Sequence, residues 1–335
     1  MTLTQLRYLI AIADSGLNIT QAAERVHATQ PGLSKQLKQL EEELGFQLFN
    51  RKGKSLDAIT HAGTHVLERA RAILAEVGNI QSVAANLRNE ARGTLRIATT
   101  HTQARFALPG AIAALNRSYP EVSVHLQPAA DAELLGLLES GGVDLAVVST
   151  AGAPPNGVIA LPAYRWQRRV VVPKEHPLAA LDRAPTLAEL AAQPLVSYDS
   201  SLKPESSLRR AFEAAGLQPQ IAMTASDADL IKTYVRAGLG VGVLAEMALL
   251  PADSVDLRIL AADQLFAPCT TWIVLRKDSV LREFALAFIT GFAPQLERKA
   301  VARHVSTGEA VEWPAAPTWR ERAVKVAAKA VAVRA

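Results

Sequence analysis

The chain is poor in cysteine, since Cys269 is the only one among its 335 residues. A single thiol excludes an internal disulfide and a cysteine-rich metal cluster, and it suits a small core residue in a reducing compartment. No apolar run approaches the roughly 20 residues that a membrane-spanning helix needs. The first residues, MTLTQLRYLI, lack the charged lead and cleavage site of a signal peptide. We therefore expect a cytoplasmic protein without a membrane partner.

The basic residues are unevenly distributed along the chain. A length of 335 residues is too great for one typical core and predicts two or three domains. The net charge of +4 is compatible with nucleic acid but too small to indicate it alone. Between residues 25 and 54, however, six cations are opposed by three glutamates, which favours a DNA-facing surface. The cations are Arg25, Lys35, Lys38, Arg51, Lys52 and Lys54.

Residues 18–44 predict two short helices joined by a turn. Asn18 can cap the first helix, and Thr29 followed by Pro31 is typical of the start of the second. The second helix directs Leu33, Leu37 and Leu40 inward at helical spacing. Its outward side chains are Gln30, Ser34, Lys35 and Lys38. This pattern indicates either the reading helix of a helix-turn-helix, which lies in the DNA major groove, or an amphipathic surface helix with a solvated face.

A short hairpin is predicted directly after these helices. Leu48 and Phe49 supply an apolar anchor, and cations follow around Gly53. Such a wing places its cations on the phosphates that flank the groove. The cations are Arg51, Lys52 and Lys54.

A long helix without an interior proline is predicted over residues 65–89. Its apolar positions alternate steps of four and three residues, which is the seam of a coiled coil. The positions are Val66, Ala70, Ile73, Val77, Ile80, Ala84 and Leu87. We interpret residues 61–92 as a linker and dimerisation helix, and the alternative is a helix packed on its own domain.

From residue 93 onward, strands alternate with helices, which predicts parallel, doubly wound sheets. A second unit of the same kind follows Tyr164, and Thr270–Leu275 is suited to return to the first. We therefore predict an effector domain over residues 93–295. Lobe I comprises residues 93–163 and 269–295, and lobe II comprises residues 164–268. The DNA-binding domain then occupies residues 1–60, and an extension occupies residues 296–335.

The turn after the first strand of the effector domain is rich in neutral hydrogen-bond donors. Thr99, Thr100, Thr102 and Gln103 precede or open a helix, where backbone N–H groups favour an anion. In an open sheet, ligands bind beyond the carboxyl ends of the strands. The turn is either an anion site or simply a helix cap. No pattern of residues predicts a metal site, and Asp227 with Asp229 is interpreted as a structural helix start.

The segment QAAERVHATQPGLSKQLKQLEEELGFQLFNR, followed by Thr60, Ala62 and Gly63, resembles the winged helix-turn-helix of LysR-type transcriptional regulators. The resemblance extends over nearly the whole chain. It implies a linker helix, a two-lobed α/β effector domain similar to periplasmic binding proteins, assembly into homodimers or homotetramers, and partners in promoter DNA and RNA polymerase. The DNA-facing positions that it implies are Gln30, Pro31, Ser34, Lys35, Lys38 and Arg51.

A closer resemblance is to the CysB and Cbl branch of this family, which controls sulfur assimilation. It rests on TTHTQAR, on Trp166 and on ASDADLIKTYVRAGLGVGV. It implies an effector such as sulfate, thiosulfate or O- or N-acetylserine. The implied effector residues are Thr100, Thr102, Gln103, Ser149 and Trp166. The chain departs from the branch near Lys203, where a threonine is expected, so Lys203 is either an additional anion contact or a solvent-exposed residue.

Other functions are less well supported by the sequence. The effector domain alone would suit a solute-binding protein, but export needs a signal peptide. The histidines are scattered without a nucleophile and an acid around them, which disfavours an enzyme, although His101 lies in the candidate site. A regulator of another pathway that senses a different small anion is the main alternative. The basic tail, VKVAAKAVAVRA, is either a helix that contacts DNA or a neighbouring subunit, or a self-packed or poorly ordered extension, which we favour.

Overall fold

A computed structural model describes residues 1–53 and 55–322. Lys54, a predicted wing contact, and the basic tail from residue 324 lie outside the described residues. The chain divides into two compact units, Met1–Arg88 and the residues from Asn89 onward. Within the described ranges, no helix is both long and apolar enough to cross a membrane.

Unit 1 is a helical domain with a two-stranded wing, as predicted. Its helices begin at side chains that accept backbone N–H groups, namely Thr2, Asn18, Thr29 and Thr60. The helix that begins after Thr29 ends at Gly45, which has a φ of 79°. The elements are α1 (Leu3–Asp14), α2 (Ile19–Arg25), α3 (Gln30–Leu44), β1 (Phe49–Lys52), β2 (Ser55–Ile59) and α4 (His61–Leu87).

The start of α4 is pressed against the chain that leads into the wing. Thr60 Oγ1 donates to the carbonyl oxygen of Gln47 at 2.9 Å and also caps the N–H of Gly63. A Cβ atom at Gly63 would lie 2.1 Å from the carbonyl oxygen of Leu48. Only glycine therefore allows this approach.

We expect Gly63→Ala to destabilise unit 1 by about 3 kcal/mol or more, because the wing and α4 must separate to admit the methyl group. Gly78→Ala in the same helix is the matched control, because a Cβ there meets no atom within 4 Å. It should instead stabilise the helix by about 0.5–1 kcal/mol. Chemical denaturation followed by circular dichroism measures both changes. Equal effects of the two substitutions would show that close packing at Gly63 has no special importance.

The apolar seam of α4 is divided into two parts. Val66 and Ala70 pack into the core of unit 1, as the alternative interpretation of this helix predicted. Farther along the helix, Ile73 is exposed. Ile80 is 62% exposed and Leu87 is 80% exposed. The first half of the seam therefore belongs to the domain, and the second half remains open to a partner.

Unit 2 contains two lobes of strands and helices. The elements up to the first crossing are β3 (Gly93–Thr99), α5 (His101–Phe106), α6 (Pro109–Ser118), β4 (Val122–Pro128), α7 (Leu134–Glu139), β5 (Leu145–Thr150) and β6 (Ile159–Trp166). Those of the second lobe are β7 (Arg168–Pro173), α8 (Leu187–Ala191), β8 (Pro194–Tyr198), α9 (Ser207–Ala214), β9 (Gln220–Ala225), α10 (Ala228–Arg236), β10 (Val241–Ala245) and β11 (Leu257–Leu260). The chain then returns through β12 (Cys269–Leu275), α11 (Glu283–Phe292) and α12 (Arg298–Thr307).

The two sheets are mixed, so the prediction of parallel sheets holds for β3, β4 and β5 and for β8, β9 and β10 but is wrong for β7 and β12. The strand orders are β4-β3-β5-β12-β6 in the first lobe and β11-β7-β10-β8-β9 in the second. In the first lobe β12 runs antiparallel to both β5 and β6, and in the second β7 runs antiparallel to both β10 and β11. The reason is that β7 and β12 enter their sheets from the cleft, whereas β3, β5, β6 and β8 end there.

The part of the C-terminal extension that the structure describes packs on unit 2. Val301 and Val305 of α12 are buried in the main core, and Trp313 and Trp319 pack against it. The described residues of the extension therefore contact the core of unit 2, whereas the basic tail, for which a self-packed or poorly ordered extension was favoured, lies outside the described residues.

Candidate DNA-binding surface and effector site

The helix α3 has an apolar side and a polar side, as the sequence predicts. Leu33, Leu37 and Leu40 are buried in the core of unit 1. On the opposite side, Gln30 Nε2 donates to Ser34 Oγ at 3.3 Å. The first turns of the helix therefore present an amide, a hydroxyl and two ammonium groups outward. The exposed or half-buried side chains on this side are Gln30, Pro31, Ser34, Lys35 and Lys38.

The wing is joined to α3 by a buried carboxylate that the sequence analysis missed. Glu41 Oε1 accepts the N–H of Leu48 at 2.8 Å, and Glu41 Oε2 lies 3.3 Å from Arg51 Nη2. Arg51 remains 38% exposed, so it both anchors the wing and reaches the surface beside α3. Lys52 is exposed on the same strand.

A cavity of about 740 Å³ lies between the two lobes of unit 2. It brings together every effector residue that the sequence predicts, although they are far apart in the chain. These residues are Thr100, Thr102, Gln103, Ser149, Trp166 and Lys203. His101 also lines the cavity, whereas Thr99 does not, because Thr99 Oγ1 donates within the sheet to the carbonyl oxygen of Val147 at 3.0 Å.

Ser149 is held by two N–H donors. Gln103 Nε2 donates to Ser149 Oγ at 3.2 Å, and Trp166 Nε1 donates to it at 3.3 Å. Because both bonds occupy acceptor positions, the hydroxyl hydrogen of Ser149 points toward Thr271 or into the cavity. Gln103 is oriented in turn by the hydroxyl of Tyr164, which donates to Gln103 Oε1.

The two threonines of the turn have different surroundings. Thr100 caps α5, where its Oγ1 accepts the N–H of Gln103 at 3.4 Å. Thr102 Oγ1 is buried and forms no well-directed hydrogen bond with a described residue, although it lies near the hydroxyl of Tyr198. A buried unsatisfied hydroxyl costs free energy, so Thr102 is a ready donor to a ligand in the cavity.

A buried guanidinium, which the sequence analysis missed, also lines the cavity. Arg168 is 4% exposed. Its Nε donates to Ser207 Oγ at 2.7 Å, and its Nη1 donates to Ser201 Oγ at 3.1 Å. Its guanidinium lies 5.9 Å from the ring centroid of Trp166. Within residues 1–53 and 55–322, no carboxylate forms an ion pair with Arg168.

The groups around Arg168 do not neutralise it. Burial raises the pKa of the Cys269 thiol and that of the Tyr198 hydroxyl, so both stay protonated at neutral pH. Burial also lowers the pKa of Arg168, yet a guanidinium remains charged at neutral pH. The cavity therefore holds a positive charge that lacks a counter-ion from the described protein.

Lys203 lines the cavity mouth, but its charge is offset. Its Nζ lies 3.1 Å from Asp131 Oδ2, and these two residues come from different lobes. The predicted cation therefore forms an ion pair between the lobes, and Arg168 is the buried cation of the cavity that forms no ion pair with a described residue. Asp227 caps α10, as predicted, and Asp229 pairs with Lys232 at 3.1 Å.

The comparisons with known proteins agree with this architecture. Residues 3–64 match the bacterial regulatory helix-turn-helix protein of the lysR family, and residues 88–296 match the LysR substrate binding domain. The chain belongs to the LysR-type transcriptional regulators. The predicted family and fold are thereby confirmed, and this LysR-type regulator is a DNA-binding protein rather than an enzyme.

The regulator has relatives within the predicted branch. It is 41% identical to the HTH-type transcriptional regulator CysB of Haemophilus influenzae over 303 residues, which cover 90% of this chain and 93% of CysB. It is 37% identical to the regulator SsuR of Burkholderia cenocepacia over 302 residues, which cover 90% of this chain and 98% of SsuR. The crystal structure of the cofactor-binding domain of the Cbl transcriptional regulator matches with a TM-score of 0.60 at 33% identity, covering 65% of this chain and 95% of that structure.

The LysR-type regulator thus carries a domain of the kind that binds small-molecule effectors. Its cavity contains the predicted neutral donors together with one buried cation. The sequence offers one signal that Arg168 lies in the cavity. It follows directly after the crossing strand that carries Trp166, where the chain passes the cleft.

Proposed function

We propose that this LysR-type regulator controls genes of sulfur assimilation or of cysteine and organosulfur metabolism in response to a small anion bound in the cavity. The candidate effectors are sulfate, thiosulfate, O-acetylserine and N-acetylserine. The observation that carries the proposal is the buried Arg168, which forms no ion pair with a carboxylate of residues 1–53 or 55–322 and lines the same cavity as the buried hydroxyl of Thr102. The similarity to CysB, SsuR and Cbl supports the sulfur-related role.

The cavity suits an anion for an electrostatic reason. A buried charge is costly unless it is paired, and an anionic effector supplies the missing partner of Arg168. Charge-assisted hydrogen bonds are about twice as strong as neutral ones. The hydroxyls of Thr100, Thr102 and Ser149, together with Gln103, add neutral donors. A volume of about 740 Å³ admits an organic anion as well as an inorganic one.

The DNA contacts follow from the exposed side of α3 and from the wing. We assign Gln30, Ser34 and Lys35 to the major groove, with Pro31 at the helix start. Lys38 also lies on this side, where it forms an exposed ion pair of 3.5 Å with Glu42 that DNA can displace. The phosphate contacts of the wing are Arg51, Lys52 and Lys54.

Two copies pair through the open half of α4, where Ile73, Ile80 and Leu87 are exposed. Paired dimers form the homotetramer, which acts in the cytoplasm on promoter DNA and contacts RNA polymerase. The effector acts by binding two arrangements of the protein with different affinities.

A ligand screen tests the proposed function. The melting temperature of the full chain is measured with sulfate, thiosulfate, O-acetylserine and N-acetylserine, each against chloride at equal ionic strength. At least one should raise the melting temperature in a saturable way, since a ligand at a hundred times its Kd adds about 2.7 kcal/mol of stability. If none of the four does so while another small anion does, the protein regulates another pathway.

That second candidate is favoured by one observation. Lys203 forms an ion pair with Asp131 at the cavity, near the position where the resemblance to the sulfur-regulator branch implies a threonine, and such a charged pair favours a different ligand. A solute-binding role is disfavoured, because the same chain carries a lysR-type helix-turn-helix.

A further inference from the structure

The C-terminal segment from Ala316 to Arg322 covers the strand that carries Trp166 of the effector cavity and Tyr164, whose hydroxyl donates to Gln103 Oε1. The N–H of Arg165 donates to the carbonyl oxygen of Pro317 at 2.8 Å, and Arg165 Nε donates to that of Ala316 at 3.1 Å. Arg165 belongs to β6, which is the last strand of its sheet. An edge strand has unpaired backbone groups, and the segment supplies partners for them.

Arg322 is the buried end of this segment. It is 4% exposed, and its Nε donates to the carbonyl oxygen of Phe292 at 3.1 Å. Its Nη2 donates to the carbonyl oxygen of Ala107 at 3.2 Å. The guanidinium lies 4.8 Å from the ring centroid of Tyr164 and 5.2 Å from that of Trp319. The guanidinium of Arg322 therefore donates to two carbonyl oxygens and also lies over the face of the Tyr164 ring.

Tyr164 connects this cluster to the cavity. Its hydroxyl donates to Gln103 Oε1, and Gln103 Nε2 donates to Ser149 Oγ at 3.2 Å. The Tyr164 hydroxyl thereby fixes which end of the Gln103 amide faces Ser149. Gln103 Nε2 also donates to Thr271 Oγ1 at 3.2 Å, so the Tyr164 bond is the restraint on the oxygen end of the amide. Without it the amide is held less firmly, and when it turns over Ser149 loses one of the two N–H donors that orient its hydroxyl.

We propose that Arg322 is a positioning residue of the effector cavity, acting through Tyr164 on Gln103 and Ser149. The inference rests on the proposed function, in which the cavity binds an anion. The segment holds the Tyr164 ring, the ring places its hydroxyl on Gln103, and the cavity is preorganised before the effector arrives. Preorganisation lowers the ordering cost of binding and therefore raises affinity.

The test is a double-mutant cycle in the full chain. The variants are Arg322→Met, Tyr164→Phe and their combination, and the matched control is Arg303→Met, which alters an exposed arginine of the same extension. The dissociation constants of sulfate and thiosulfate are measured by calorimetry. Each single variant should weaken binding about tenfold, the expected effect of losing one positioned buried hydrogen bond. The combination should be no weaker than Tyr164→Phe alone, and the control should bind like the wild type.

Two outcomes overturn the proposal. If Arg322→Met lowers the melting temperature but leaves both dissociation constants unchanged, Arg322 contributes to stability alone. Strictly multiplicative effects of the two substitutions would show that Arg322 does not act through Tyr164.

A ligand-free measurement separates this proposal from the proposed function. Hydrogen exchange of the backbone from Thr99 to Ala104 is followed by mass spectrometry. Arg322→Met and Tyr164→Phe should accelerate exchange about equally, and the double variant should exchange no faster than either single variant. This result is expected even if neither sulfate nor thiosulfate binds the wild type. Such a result would leave the positioning role supported while the ligand class fails. Unchanged exchange in both variants would overturn the positioning role itself.

Discussion

Replacing Arg168 with methionine is expected to weaken binding of the anionic effector by about a hundredfold, or roughly 2.7 kcal/mol. The reason is that the anion loses the buried cation that lines its cavity and forms no ion pair with a described residue. The stability of the ligand-free protein should change little or rise, because burying an unpaired charge is costly and methionine fills a similar volume. Calorimetric titration and the ligand-free melting temperature measure the two effects.

Arg210→Met is the control for this experiment. Arg210 also lines the cavity but is exposed, and its Nη1 donates to the carbonyl oxygen of Ala151 at 3.1 Å. Its loss should weaken binding less than about threefold, because exposed charges are screened by solvent. An Arg168→Met protein that binds the anion as tightly as the wild type would contradict the assigned role of the buried guanidinium.

The combined substitution of Ser34 and Lys35 with alanine is expected to reduce specific operator affinity by about a hundredfold or more. Direct contacts with base edges contribute about 1–3 kcal/mol each, and both side chains lie on the outward side of α3. An operator is first obtained by selecting bound fragments from random-sequence DNA with the wild-type protein. Footprinting and fluorescence anisotropy at fixed salt then compare the variants.

The matched control alters a hydroxyl and a cation on the supporting helix, with Thr4→Ala and Arg7→Ala combined. Both residues are exposed on α1, so operator binding should not change. Lys52→Ala should behave differently from either pair, because a phosphate contact carries no sequence information. It should weaken binding to all DNA sequences to a similar extent, and the salt dependence of binding should correspond to about one fewer released counterion. Retained footprints in the Ser34 and Lys35 variant would exclude α3 as the reading helix.

The helix-turn-helix could be predicted because its determinants are local. Asn18 and Thr29 cap helices whose leucines recur at helical spacing, and Gly45 ends α3 within a few residues of the last of them. The same reasoning placed the start of the long helix four residues late, at His65 rather than His61. Thr60 is the cap, and its contact with the carbonyl of Gln47 belongs to tertiary structure.

The strand β6 could not be predicted from its residues because it contains Pro162. A proline is disfavoured inside a sheet, since it lacks the N–H that a ladder requires. It is tolerated here because β6 lies at the edge of its sheet. The same position explains why the extension, with Trp319 and Arg322, packs there, since an edge strand offers backbone groups that only a distant segment can pair.

The predicted site residues were brought together, but the charge in the site was not foreseen. Arg168 precedes Arg169 and three valines, which is the pattern of a strand that begins at the surface. Its burial arises because β7 enters its sheet from the cleft. Lys203 was the predicted cation, and its pairing with Asp131 of the other lobe depends on the approach of two segments 72 residues apart.

The position of β12 has a consequence for the order in which the protein matures during synthesis. β12 lies between β5 and β6, so β5 and β6 do not pair with each other. The first sheet is therefore complete only after residue 275 has been synthesised. The second lobe is continuous from β7 to β11 and has all its strands earlier. Because domains generally fold as units as the chain emerges, we expect the second lobe to mature first. The effector cavity then forms last, when the returning strand closes the sheet of the first lobe.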